Sequence, residues 1–279
     1  MAAAVLLMVV AMSLIPIGDT AGKLLAEEHG FSSVFIGWAR FSLGALAALP
    51  FLVINMRQLG SLRDWRIHLR GLFLTLGVVC IVTALTTEDI GTVFGAFFVG
   101  PILSYVLSVL LLGERVSRLR SMLLVMGFLG VLLVSKPGFG MTYGLGFAVL
   151  AGVFYGFYLT SSRWLAGAAP TGLLLLSQLV VGSLLLSPVV IVNWPGPQEW
   201  PIGLLLISGM ASFLGNLLLL VAYRFAPATA LAPFVYFQLV AATALGVLVW
   251  GQWPDPLALA GLGLLLGSGL GSLAIRNPA

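Results

Sequence analysis

The sequence predicts an all-α polytopic membrane protein of ten transmembrane helices, built as two inverted five-helix repeats with both termini cytoplasmic. Three observations carry this prediction. Of the 279 residues, 60% are hydrophobic and 8% charged, at a mean hydropathy of +1.13, where a soluble domain averages roughly a quarter charged. The apolar residues gather in runs of about twenty, the helix length that crosses a bilayer's hydrocarbon. A shift of 138 positions, which carries Gly113 onto Gly251, also lays one stretch of the chain over another.

The spans are expected near Ala2 to Leu25, Ser33 to Asn55, Ile67 to Thr86, Gly91 to Leu112, Arg120 to Ser135, Tyr143 to Leu165, Thr171 to Asn193, Pro201 to Tyr223, Ala228 to Trp250 and Pro256 to Ile275. The opening run has no basic n-region and is too long for a cleaved signal, so it reads as the first span. Connections are short and punctuated by Pro and Gly, as in Lys136-Pro137-Gly138. A single cysteine, Cys80, excludes an intrachain disulfide.

Orientation follows from Lys and Arg. If the spans alternate, Arg57, Arg63, Arg66, Arg70, Arg115, Arg118, Arg120, Arg163, Arg224 and Arg276 fall on one side, and only Lys23 and Lys136 on the other. By the positive-inside rule the arginine side is cytoplasmic. The basic pI of 9.6 therefore reads as loop charge that sets topology, and no nucleic-acid partner is expected.

The 138-residue shift aligns Gly44 with Gly182, Pro50 with Pro188, Asn55 with Asn193, Gly71 with Gly209, Gly77 with Gly215 and Ala84 with Ala222. One constant offset held at Gly, Pro and Asn divides the chain into residues 1–138 and 139–279. Five spans are an odd number, so the second unit enters the membrane from the opposite side. Such repeats place a site near the midplane and support alternating access.

At Trp38-Ala39-Arg40-Phe41, at Gly113-Glu114-Arg115 with its weaker copy Gly251-Gln252, and at Asp19-x-x-x-Lys23, the chain resembles the drug/metabolite transporter superfamily, in its ten-helix bacterial EamA-type branch. The resemblance covers nearly the whole length. It implies a bacterial inner-membrane protein whose spans three, four, eight and nine, helped by one, two, six and seven, surround a central cavity, with five and ten peripheral. Similar members export amino acids, aromatic ones included, and other metabolites; others take up S-adenosylmethionine. The second repeat departs from the first at Gln252, which stands where Glu114 would be repeated.

Arg40 lies about 10 to 12 Å inside its span, at a depth where an arginine costs about 2.5 to 3.5 kcal/mol on insertion scales and so faces the bundle and finds a partner. Asp19 is at similar depth. Two roles are open to Arg40: meeting a substrate carboxylate or a gate, or fastening two helices through Asp19. Lys23 competes for Asp19 as an i,i+4 pair. The repeat equivalent of Arg40 is Gln178, which keeps hydrogen bonding without charge.

Phe94, Phe98, Pro101 and Tyr105 share one face of the fourth span, with Tyr236 on the ninth opposite. Helix packing or the wall of an aromatic pocket accounts for this stripe. Tyr155, Tyr158 and Ser162 on the sixth span, and Ser208, Ser212, Asn216 and Tyr223 on the eighth, are too polar for lipid. Asn216 suits a ligand contact or an interhelical hydrogen bond. Aromatic walls with few full charges suit a neutral, partly apolar zwitterion, such as a neutral or aromatic amino acid, better than a phosphate ester, which calls for converging Lys and Arg. Glu114 reads as an inner-boundary carboxylate balanced by Arg115 and Arg118, with a proton site as the alternative. Gly263, Gly267 and Gly271 form a small-residue face on the tenth span, for contact within the chain or in a homodimer.

Other classes lack their signatures. His29 and His68 are expected in loops, and no H-E-x-x-H stretch is present, which argues against a membrane-embedded metalloenzyme. No G-x-x-x-x-G-K-[ST] stretch supports ATP-driven pumping. No cofactor or metal is expected, and a channel remains the other membrane alternative.

Overall fold

The computed structural model describes residues 2–54, 56–88, 90–114, 118–135, 142–196 and 199–274. Expectations that fall on Asn55, Arg115, Lys136 and Arg276, and on the boundary between residues 138 and 139, lie outside these residues. The regular structure of the described chain is helical throughout: α1 (Ala2–His29), α2 (Ser33–Ile54), a 3₁₀ turn (Met56–Arg63), α3 (Trp65–Leu85), α4 (Ile90–Phe97), α5 (Val99–Leu112), α6 (Arg118–Ser135), α7 (Tyr143–Trp164), α8 (Thr171–Val192), α9 (Ile202–Phe225), α10 (Ala228–Val235), α11 (Phe237–Trp250) and α12 (Pro256–Ala274). Eight segments are long and apolar enough to cross a membrane, among them Thr92–Leu112 and Ala228–Trp250. Two shorter apolar helices, Ser121–Val134 and Pro256–Gly271, accompany them.

The fourth and ninth segments are not the continuous helices expected. Each is interrupted near its middle, at Phe98 (φ −73°, ψ 3°) and at Tyr236 (φ −65°, ψ −16°). Pro101 explains the first break, because it has no N–H to give the carbonyl of Phe97 one turn back. In the second, Pro233 sits one turn before Tyr236. Both segments end alike, at Gly113 and Gly251, whose φ angles of 64° and 67° lie in the left-handed region that glycine enters without a Cβ penalty.

Arg70, counted above with the loop charges, belongs to α3 and is fully buried. The loop before α3 keeps Asp64, whose side chain accepts from the backbone N–H of Arg66, while the Arg66 guanidinium donates to the same carboxylate. That hydrogen bond holds the Asp64 carboxyl below the usual carboxylate range.

Four helix pairs meet antiparallel, while α5 and α7 run parallel, with Gly100 against Gly152 and Thr160 on Ser104. Along α1 and α9, Gly18 meets Ser208 and Ser212 while Gly215 meets Ala11 and Ile15. Along α2 and α8, Trp38 Nε1 donates to Ser187 Oγ at 3.0 Å and Ser42 lies 2.8 Å from Ser183. Along α3 and α7, Arg70 meets Ser162 and Gly77 meets Phe154. The peripheral pair is α6 with α12, which approach so closely at Gly130 and Gly261 that a Cβ on either would lie 2.5 to 2.6 Å from the other's carbonyl oxygen. On the far face of α12, Leu257, Leu259, Leu266 and Leu270 are exposed, as lipid contact requires. The core runs between the remaining helices, where the breaks at Phe98 and Tyr236 meet.

Candidate functional site

The centre of the bundle is organised by one buried ion pair. Arg40 on α2 donates through Nη1 to Asp19 Oδ1 at 2.7 Å, and both side chains are 6% exposed. Its Nε and Nη2 donate to Ser212 Oγ on α9 at 2.9 and 2.6 Å. Lys23 turns instead to Glu27, 3.5 Å away. Two charges out of water are tolerable only when paired and hydrogen-bonded, and Gly18 makes this possible: a Cβ there would fall 2.5 Å from Ser212 Oγ.

From Ser212 the polar contacts continue inward along α9. Asn216 Nδ2 donates to the Ser212 carbonyl at 2.9 Å, and Tyr158 OH lies 2.9 Å from Asn216 Oδ1 and 3.2 Å from Gln178 Oε1. Asp19, Arg40, Asn216, Tyr158 and Gln178, drawn from five spans, thus form one chain of contacts. Beside it lies a cavity of about 40 Å³ lined by Asp19, Arg40, Gly77, Phe97, Tyr155 and Gln238, among others. That is room for water, and far below the roughly 300 Å³ at which ligand pockets begin.

The aromatic candidates separate. Phe94 and Phe98 pack with Phe97, and Phe98 meets Tyr236 edge-on at 5.5 Å. Phe97 and Tyr155 stand 4.8 Å apart and reach the cavity. Tyr105 points elsewhere, 2.7 Å from Ser121 of α6. A single helical stripe does not run through the break at Phe98: Phe98 meets Tyr236 while Tyr105 meets Ser121. Phe97 and Gln238 were not singled out in the sequence. Pro101 was the signal for the first, since a proline inside a span warns that its faces do not run through; Gln238, the one strongly polar residue near the middle of its span, was the signal for the second.

Both ends of the bundle are shut by different chemistry. At one, Phe31, Phe35 and Trp38 interlock with Trp194 and Trp200, with ring centroids 5.0 to 5.9 Å apart. At the other, Glu114, just past the end of α5, accepts from the backbone N–H groups of Ala228 and Thr229 at 3.1 and 2.9 Å, and so caps α10 from across the bundle. Arg163 Nε donates to the same carboxylate at 3.0 Å, while its Nη1 donates to the Tyr223 carbonyl. Glu114 therefore fastens α5, α7 and α10 together.

Fold and centre together define a multi-pass membrane protein with a polar, charged interior. The chain belongs to the EamA-like transporter family, whose model matches residues 2–136 and again residues 142–273. It is 26% identical over 243 residues to an S-adenosylmethionine uptake transporter of Rickettsia prowazekii, covering 86% of this chain and 81% of that one. It is 30% identical over 197 residues to a pseudopaline exporter of Pseudomonas aeruginosa, covering 69% of each. A riboflavin transporter of Rhizobium johnstonii is 25% identical, covering 88% and 82%. One solved crystal structure superposes with a TM-score of 0.77 at 18% identity, over 95% of this chain and 96% of that one; the likeness is one of fold.

Proposed function

We propose that this protein is a secondary transporter that moves a small organic metabolite with an amino-acid head across the bacterial inner membrane by alternating access. The observation that carries the reading is the buried chain from Asp19 and Arg40 through Ser212 and Asn216 to Tyr158 and Gln178, flanked by Phe97, Tyr155, Phe98 and Tyr236. A zwitterion with an apolar or planar side chain matches that mixture. Export of a neutral or aromatic amino acid is the first reading. Uptake or exchange of S-adenosylmethionine is the second, favoured by the named activity of the Rickettsia relative.

Two repeats of inverted sense, with cytoplasmic termini, belong to the same proposal. Its support is the twofold match of the family model and the pattern of packing. Exchanging the halves turns α1 on α9 into α7 on α3, and α2 on α9 into α8 on α3, all of which are contacts. The equivalent pairs α2 with α8 and α6 with α12 run antiparallel. In this arrangement the Glu114 lock closes the cytoplasmic end and the Trp194 cluster the outer one.

Counterflow in proteoliposomes tests the proposal. Unlabelled L-phenylalanine or S-adenosylmethionine inside the vesicle should drive transient, saturable accumulation of its labelled form, and whichever does so identifies the reading. Absence of counterflow with both, and with the other amino acids, would remove the substrate class.

A further inference from the structure

We infer that Arg70, with Gln178, forms a second binding site, one that receives a carboxylate supplied by the solute; the inference rests on the transport reading above. Three charged residues of the described chain are buried: Asp19, Arg40 and Arg70. The first two neutralise each other. Arg70, fully buried on α3, has no carboxylate partner among the described residues. Its Nη2 donates to the Leu174 carbonyl, its Nη1 reaches Ser162 Oγ at 3.4 Å, and its guanidinium carbon stands 5.6 Å from the centre of the Tyr158 ring. None of these partners carries a negative charge.

Two N–H donors at this spot have no acceptor. Arg70 Nε is unpartnered, and so is Nε2 of Gln178, whose Oε1 accepts from the hydroxyl of the same Tyr158. Both residues are completely buried. A buried donor left without an acceptor is costly, and a buried cation left without an anion more so. A carboxylate brings two accepting oxygens to two donors that flank Tyr158, and a charge that balances the guanidinium.

The repeat points to the same conclusion. The 138-residue shift carries Gly18 onto Gly156, Arg40 onto Gln178 and Arg70 onto Ser208. Arg40 and Ser208 stand in the first polar cluster, and Arg70 and Gln178 in the second, so the two clusters are counterparts. In the first the cation is met by Asp19. The position equivalent to Asp19 is Phe157, which stacks on Phe73, so the second cluster has the cation and lacks the resident acid. Its approach lies past the Glu114 lock, because Ser162, which faces Arg70, adjoins Arg163. Release of that lock opens the site to a solute.

The test is thermal unfolding of the purified full-length protein in detergent, titrated with L-phenylalanine and sodium benzoate, and with L-phenylalaninamide and benzamide as matched probes lacking the carboxylate, at constant ionic strength. Carboxylates should raise the Tm by several degrees, saturably, and the amides should not. Arg70→Gln should weaken the carboxylate effect at least tenfold, Gln178→Leu severalfold, and Arg63→Gln not at all. Equal effects of carboxylates and amides on the unaltered protein would overturn the inference, as would an unchanged response in Arg70→Gln. Should that variant fail to fold, the unaltered protein and Gln178→Leu decide. Carboxylate binding without counterflow would sustain this site and defeat the transport reading; counterflow of phenylalaninamide as fast as phenylalanine would do the reverse.

Discussion

Phe98 and Tyr236, the residues at which the two broken segments turn, touch edge-on with ring centroids 5.5 Å apart. They are equivalent positions under the 138-residue shift, so the shift relates the two partners of one central contact. Tyr236 is held from behind by Gly127, where a Cβ would fall 2.6 Å from the ring. Gly127→Ala should therefore cost about 1 to 3 kcal/mol by overpacking and lower the melting temperature. Gly146→Ala, on α7 with nothing within 4 Å, should be neutral or raise it through helix propensity. Equal effects would mean that the Tyr236 ring yields freely.

Removing either member of the Asp19 and Arg40 pair strands a buried charge. Asp19→Asn and Arg40→Gln should each cost about 3 to 5 kcal/mol, and the double variant should regain much of that loss. Counterflow should stay low in the double variant although stability returns. Recovery of both would make the pair a fastening only.

Glu114→Gln keeps two acceptor lone pairs at the carbonyl but loses the charge that holds Arg163 and favours the N-terminus of α10. A loss of about 1 to 2 kcal/mol is expected from the weakened cap and pair, with a rise in proteolysis of the loop between α9 and α10. Gln252→Glu, which restores the missing copy, should slow counterflow by tightening the other closure; faster exchange would contradict that assignment.

Asp64 gives a pH signature. Its folded carboxyl titrates below its ordinary value of 3.8 because it accepts from Arg66. The stability it contributes is present above pH 4 and lost as the pH falls further, through the folded value. Melting temperatures of the unaltered protein and of Asp64→Asn should converge as the pH is lowered from 5 toward 3, and parallel curves would show that the carboxylate charge beside Arg66 contributes nothing.

Hydropathy placed nearly every segment, because apolar runs of bilayer length leave little choice. Depth puts Arg40 and Asp19 at one level and leaves their pairing open beside a substrate role for Arg40 and a pair of Asp19 with Lys23. Arg70 could not be placed even so far: at the start of a span, a charge in a loop and a charge one turn inside look alike in sequence, and only packing against α7 and α8 shows it buried. Glu114 was placed at a span's end, but its partners on α7 and α10 lie 49 and 114 residues away, beyond any local pattern. Phe98 meets Tyr236 while Tyr105 meets Ser121 of α6, a parting of neighbours that helical spacing alone does not show.

The measurement that bears most directly on alternating access is two-sided thiol labelling. Cys80→Ala removes the native thiol, and Val78→Cys places a single new one on the wall of the central cavity. In oriented proteoliposomes, a membrane-impermeant maleimide should label this position little in the parent, where both ends are shut, and the added Glu114→Gln substitution should raise labelling from the cytoplasmic side alone. Equal, simultaneous labelling from both sides, or labelling that ignores Glu114, would contradict a chamber that opens to one face at a time.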